Sequence, residues 1–151
     1  MGTLQVNAQR RIDAPAETVY GYLADMQTHH PRFLPAAFAD FGVESGGVGE
    51  GTIVHYTLNA GGRSRRYRMR VAEPQPGRVL TESDLDSSLV TTFTLTPAGA
   101  SCDVAISTSW QGAPGVGGFF ERMFAPKVMQ RIYSEELERL AAYARGDAAT
   151  A

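Results

Sequence analysis

The paired glycines Gly61-Gly62 constrain this chain more than any other feature, because runs of alternating polarity flank them on both sides. Two glycines allow positive φ at both central positions of a two-residue turn, the geometry that joins two antiparallel strands with the right twist. Centring the turn there pairs Ala60 with Arg63, Leu58 with Arg65, Tyr56 with Tyr67 and Val54 with Met69. Successive side chains on a strand point to opposite faces. One face of this hairpin therefore carries Val54, Tyr56, Leu58, Tyr67, Met69 and Val71, and the other carries Ile53, His55, Thr57, Arg66, Arg68 and Arg70. An apolar wall is separated from a charged one.

The same period of two runs through the rest of the chain. Leu4, Val6, Ala8 and Ile12 alternate with polar residues and predict a first strand. Pro15, with Glu17 close behind, predicts the start of a short helix whose apolar face is Val19, Tyr20 and Leu23. Pro31 and Pro35 bracket Phe33 and Leu34, so a second short helix or turn precedes Phe38, and Ser45 to Gly51 reads as a loop between strands. The connection Pro74-Gln75-Pro76-Gly77 is harder, since a slip of one residue reverses every side chain beyond it. A three-residue loop with Gly77 left-handed sets Arg70 against Glu82, Arg68 against Asp84 and Arg66 against Asp86. This register forms opposite-charge pairs and keeps three carboxylates in water. It places Val79, Thr81, Ser83 and Leu85 inside, followed by Leu89, Thr91, Phe93 and Leu95, then Cys102, Val104, Ile106, Thr108 and Trp110.

Gly112 to Gly118 reads as a hinge into a last helix. Phe119, Met123, Pro126, Met129, Tyr133, Leu137, Leu140 and Ala144 recur at helical spacing, with Arg131, Glu135 and Arg139 on a solvent side. Phe120, Phe124, Val128 and Ile132 form a second apolar row, and Pro126 should kink or break the helix.

Composition excludes several classes. At 151 residues the chain suits one domain, which buries roughly 70% of the surface its unfolded form exposes. A formal net charge of -2 is unlike a general nucleic-acid binder. The single cysteine, Cys102, allows no internal disulfide and no cysteine-rich zinc cage, and fits a reducing, cytoplasmic setting. Met1 to Asn7 does not read as a signal peptide, and no apolar stretch is long enough to span a bilayer. No cofactor or metal site is expected. His29 and His30 read as surface or rim residues, and His55 as outward-facing.

The order of strand, two short helices, six strands and a long helix resembles the START-like or SRPBCC superfamily. That superfamily includes Bet v 1-like proteins and bacterial proteins of the polyketide cyclase/dehydrase type. Local wording carries the resemblance: Arg11 to Tyr20 entering the first helix, Gly49-Glu50-Gly51-Thr52 opening the third strand, and Glu138-Arg139-Leu140 near the end of the last helix. It implies an α+β helix-grip fold, in which a curved seven-stranded antiparallel sheet wraps around a long C-terminal helix and leaves a cavity between them. The expected domain spans residues 1–145, with 146–151 as a disordered tail. Fold of this kind does not choose among lipid, hormone or polyketide ligands, nor between binding and catalysis.

The expected ligand-binding set is Phe33, Tyr56, Arg65, Tyr67, Met69, Ser83, Phe93, Thr108 and Trp110, with Phe120, Met123 and Phe124 as a lid. An apolar wall with a few hydroxyls and one guanidinium suits an amphipathic molecule, although each such residue also serves as ordinary core. Arg65 on an apolar face must find an acceptor, snorkel to water or bind an anionic group. Some aromatase/cyclases of the resembled superfamily hold a poly-β-keto chain with an arginine and tyrosines, which makes Arg65, Tyr56 and Tyr67 the catalytic candidates. Three readings follow: a binder of a small hydrophobic molecule, acting as monomer or homodimer; a cyclase, aromatase or dehydratase; and a docking module using Phe119, Phe120 and Phe124. The first is ranked ahead because no catalytic constellation is visible in the sequence.

Overall fold

The computed structural model describes residues 3–111 and 126–146. The expected hinge, the lid residues Phe120, Met123 and Phe124, and all but the first residue of the expected tail lie outside them. Seven strands form one antiparallel sheet: β1 (Thr3–Ile12), β2 (Phe38–Ser45), β3 (Ile53–Ala60), β4 (Arg63–Gln75), β5 (Val79–Asp84), β6 (Val90–Ala98) and β7 (Ser101–Gln111). Their spatial order is β1-β7-β6-β5-β4-β3-β2. Between β1 and β2 lie α1 (Ala16–Ala24) and a single 3-10 turn, His30–Phe33. The long helix α2 (Pro126–Ala144) buries Met129, Ile132, Tyr133, Glu136, Leu137, Leu140 and Ala141 against the sheet.

The turn between β3 and β4 has φ of 60° at Gly61 and 78° at Gly62, and the four pairings read from the sequence all hold. Val54, Tyr56, Leu58, Tyr67, Met69 and Val71 are buried, while Arg66, Arg68 and Arg70 stand in solvent. On β7, Cys102, Val104, Ile106, Thr108 and Trp110 face inward as the alternation requires.

The β4–β5 register corrects the expectation. Met69 lies opposite Asp84, Arg70 opposite Ser83 and Val71 opposite Glu82. The three pairings Arg70–Glu82, Arg68–Asp84 and Arg66–Asp86 do not form. Gly77 is left-handed, with φ of 89°, but the pairing shifts between Ala72 and Gln75. Pro74 sits in that interval and has no N–H for the ladder, so the strand bulges there and its phase changes by one. The inner residues of β5 are consequently Leu80, Glu82 and Asp84, while Val79, Thr81 and Ser83 turn to the outer face. Arg68 instead pairs with Glu44 on β2, at 2.8 Å from Nη2 to Oε1.

That bulge is also anchored. Glu73 accepts hydrogen bonds from the Tyr20 hydroxyl at 2.8 Å and from the Glu50 amide at 2.8 Å, while its own amide donates to Glu50 Oε1 at 2.6 Å. Gly49 makes this possible: its φ is 72°, and a Cβ there would stand 2.6 Å from Glu73 Oε1. The Gly49-Glu50-Gly51-Thr52 segment thus ties α1 to β4.

Candidate functional site

Sheet and α2 do not close on each other completely. Between them is a cavity of about 570 Å³, counting the space at its open mouth. Tyr56 and Leu58 from β3, Tyr67 from β4, Thr108 and Trp110 from β7, and Met129 and Tyr133 from α2 form most of its wall. Leu89 and Ser87, from the segment before β6, complete one side. A smaller recess of about 330 Å³, likewise counting open space, adjoins it, and Phe38, Tyr56 and Tyr133 line both spaces. The remaining wall of the recess comes from His30, Leu34, Phe41, Glu82, Thr91, Phe93 and Glu136.

The recess holds the chemistry. His30, Glu82 and Glu136 are 2%, 7% and 3% exposed. His30 Nδ1 donates to the Leu23 carbonyl at 2.8 Å, and since a carbonyl only accepts, this nitrogen carries a hydrogen. Nε2 then faces the carboxylates, 3.5 Å from Glu136 Oε2 and 4.0 Å from Glu82 Oε2. Burial disfavours the imidazolium, but Glu136 and Glu82 outweigh it and raise the His30 pKa above its ordinary value. Burial also pushes Glu82 up, to about 7, with His30 opposing and Glu136 reinforcing the shift. Among the described residues no group of three histidine, cysteine or acidic side chains is disposed to hold a metal ion. A buried acid that gains and loses its proton near neutrality is poised for proton transfer or for charge recognition.

The outer cavity has a different polarity. Trp110 is 8% exposed, and its indole N–H has no acceptor among the described residues. Arg65 stands half-exposed, its guanidinium 4.9 Å from the Tyr67 ring centre and 3.9 Å from the buried Asp84 carboxylate. Thr108 donates to the Tyr133 hydroxyl at 2.7 Å, and the Thr91 and Thr108 hydroxyls lie 2.7 Å apart. Thr108 has one hydrogen, so Thr91 must be the donor of that pair, and the Tyr133 hydrogen is available to an acceptor, whether Thr91 Oγ1 or a group in the cavity. Burial pushes the Tyr133 pKa up, with the threonine hydroxyls opposing, which keeps it a neutral donor.

Tyr56, Arg65, Tyr67, Thr108 and Trp110 from the expected set are brought together around the outer cavity, and Phe93 lines the recess. Ser83 is not among them: the bulge at Pro74 turns it to the outer face of β5. Phe33 and Met69 are packed in the core, Phe33 stacking on His30 at 4.9 Å. His30 is a second correction. It is neither surface nor rim, because the 3-10 turn aims its ring inward and the Leu23 carbonyl holds it there. His29 is half-buried beside Tyr143. Sequence reasoning missed His30, Glu82, Glu136, Phe38, Leu89, Met129 and Tyr133 as cavity residues. Glu136 left a signal, since it lies three residues after Tyr133 and four before Leu140, within the apolar stripe of the last helix.

A curved seven-stranded antiparallel sheet wrapped around a long C-terminal helix, with a lined cavity between them, is the helix-grip architecture of Bet v 1-like proteins in the SRPBCC superfamily. Within it, the chain belongs to the family described as "Polyketide cyclase / dehydrase and lipid transport", which it matches over residues 3–145. It is 29% identical over 118 residues to pathogenesis-related protein 2 of Petroselinum crispum, covering 72% of this chain and 75% of that protein. The solution structure of KanY protein (ms6282) is similar at a TM-score of 0.85 and 34% identity, covering 97% of this chain and 100% of that one. The ZhuI aromatase/cyclase from Streptomyces sp. R1128 shares the fold at a TM-score of 0.77 and 17% identity, covering 95% of this chain and 94% of that one. Among the described residues no helix is long and apolar enough to cross a membrane.

Proposed function

We propose that the protein binds a small, largely apolar and amphipathic molecule in the cavity between sheet and helix. The observation that supports this best is the buried Trp110 N–H, which lines an apolar cavity and has no acceptor among the described residues. A buried donor left unpaired costs about 1–3 kcal/mol, a cost that a ligand oxygen would relieve. The family description, polyketide cyclase / dehydrase and lipid transport, favours ligands of lipid or polyketide type. Trp110 is the only tryptophan, so its emission reports on the cavity directly. Titration with N-phenyl-1-naphthylamine, a neutral apolar probe, should quench Trp110 saturably, and native mass spectrometry of purified protein should find a co-purifying apolar molecule. Absence of both would overturn the reading.

A second reading, turnover of the bound molecule by a cyclase- or dehydratase-type reaction, is favoured by the His30–Glu82–Glu136 cluster in the adjoining recess. In this reading Glu82 removes a proton from carbon beside a carbonyl, while Tyr133 or Trp110 donates to the developing oxyanion. Its signature is exchange of the α-hydrogens of 2-tetralone into deuterium oxide, followed by NMR. Catalysed exchange that disappears in Glu82→Gln supports turnover; exchange no faster than in buffer argues for binding alone.

A further inference from the structure

The recess and the outer cavity differ in the sign of the group they call for. In the recess, two carboxylates face a single imidazole, so even a fully charged His30 balances only one of them. No lysine or arginine among the described residues lines it. Glu82 is the unbalanced member. Its nearest cationic atom among the described residues is His30 Nε2 at 4.0 Å, beyond hydrogen-bonding distance, and it accepts no hydrogen bond from a described residue. Aromatic rings stand around it: Phe38, Phe41, Tyr56, Phe93 and Tyr133 share the walls of the recess. Ring faces attract cations electrostatically, most strongly where water is excluded. The outer cavity is the reverse, presenting donors at Trp110 and Tyr133 and a guanidinium at Arg65.

The geometry points to a ligand that is itself polar at both ends: a protonated primary or secondary amine seated in the recess against Glu82, an aryl or alkyl body past Phe38, Tyr56 and Tyr133, and an acceptor oxygen toward Trp110. This inference rests on the cavity-binding reading and specifies which amphipath the cavity takes. An ammonium supplies the missing positive charge, donates the hydrogen bond that Glu82 lacks, and meets ring faces on its other sides. A neutral hydroxyl supplies only the hydrogen bond, and a carboxylate adds a third like charge to the two already buried.

Because Glu82 takes up a proton near pH 7, binding of the amine must weaken as pH falls through that value. The groups facing Glu82 are His30 from the 3-10 turn, Glu136 and Tyr133 from α2, and Tyr56 from β3. His30, whose pKa the two carboxylates raise, also becomes more charged as the solution is acidified, which further disfavours a second cation.

The test compares 4-phenylbutylamine, 4-phenylbutan-1-ol and 4-phenylbutanoate by quenching of Trp110 and by calorimetry. At pH 8 the amine should bind at least about tenfold more tightly than the alcohol, and the butanoate more weakly than either. At pH 5.5 the advantage of the amine over the alcohol should shrink by about tenfold. Glu82→Gln should bring the amine-to-alcohol ratio at pH 8 close to 1. Should that variant fail to melt cooperatively, the pH dependence of the wild-type ratio decides. Equal affinity of amine and alcohol at pH 8, or preference for the butanoate, overturns this inference while leaving the cavity reading intact. Failure of all three compounds to quench Trp110 overturns both.

Discussion

Glu82 Oε2 lies 4.0 Å from His30 Nε2 in a recess where both side chains are more than nine-tenths removed from solvent. The two come from elements far apart in the chain, a 3-10 turn after α1 and the middle of β5. With Glu136 from α2 they form a described group of side chains in which burial, charge and a cavity meet.

The pH dependence of stability should carry the mark of this cluster. Folded Glu82 keeps its proton up to about pH 7, whereas its ordinary value is 4.5. Between these values the folded state binds more protons than the unfolded chain, so stability falls as pH rises from about 4.5 to 7. His30 acts in the same direction, its contribution complete below 6.5 and lost as pH rises through its raised folded value. Urea melts of wild type at pH 4.5 and 7.5 should differ by on the order of 3 kcal/mol. The same pair of melts for Glu82→Gln should differ by much less; an unchanged slope would remove Glu82 as its source.

Breaking the hydroxyl chain inside the cavity should destabilise the fold. Thr108→Val removes the donor to Tyr133 and the acceptor for Thr91 while keeping the side-chain shape. A loss of about 1–3 kcal/mol is expected, since two buried polar groups lose a partner. Thr108→Ser keeps the hydroxyl and should recover most of it. Thermal melts of the three proteins suffice, and equal stability of valine and wild type would show the chain to be dispensable.

Gly49→Ala should cost about 1–3 kcal/mol through strain at its positive φ. The new methyl would also displace the Glu73 carboxylate from the Tyr20 hydroxyl and the Glu50 amide. Gly51 is a useful control: its φ is 89°, but a Cβ there meets nothing within 4 Å. A larger loss at Gly49 than at Gly51 separates the contact from backbone strain, and equal losses would leave only strain.

Narrowing the mouth should block uptake without unfolding the protein. Leu89 is half-buried and lines the outer cavity, so Leu89→Trp adds volume where solvent can yield. Affinity for N-phenyl-1-naphthylamine should fall at least about tenfold, with a stability change under about 1.5 kcal/mol. Because the variant brings a second indole, the emission of the probe itself is the measurement. Unaltered affinity would place the probe elsewhere.

Much of the architecture was legible in local pattern. The Gly61-Gly62 turn permits one pairing of its flanking strands, and the register of β3 with β4 followed from it residue by residue. The stripe Met129, Tyr133, Leu137 and Leu140 identified the buried side of α2 in the same way. Tyr56, Arg65, Tyr67 and Trp110 could be named as neighbours because each lies on a strand whose phase a nearby turn secures.

The recess was not legible, and two causes account for it. Across Pro74 the phase of the strand depends on a bulge, which inserts a residue without any change in the alternation beyond it. The rule that carboxylates stay in water then selected the register that hides Glu82, although the fold had a histidine to set against it. His30 comes from a turn whose direction is decided by the Leu23 carbonyl, a contact between segments with no shared period.

Sequence therefore established which residues share a face, because alternation and helical spacing are properties of consecutive residues. Which face of β5 turned inward, and which charges met there, was settled by the packing of β5, the 3-10 turn and α2 around one recess. A buried charge is tolerable only beside its partner, and that partner is supplied by the fold.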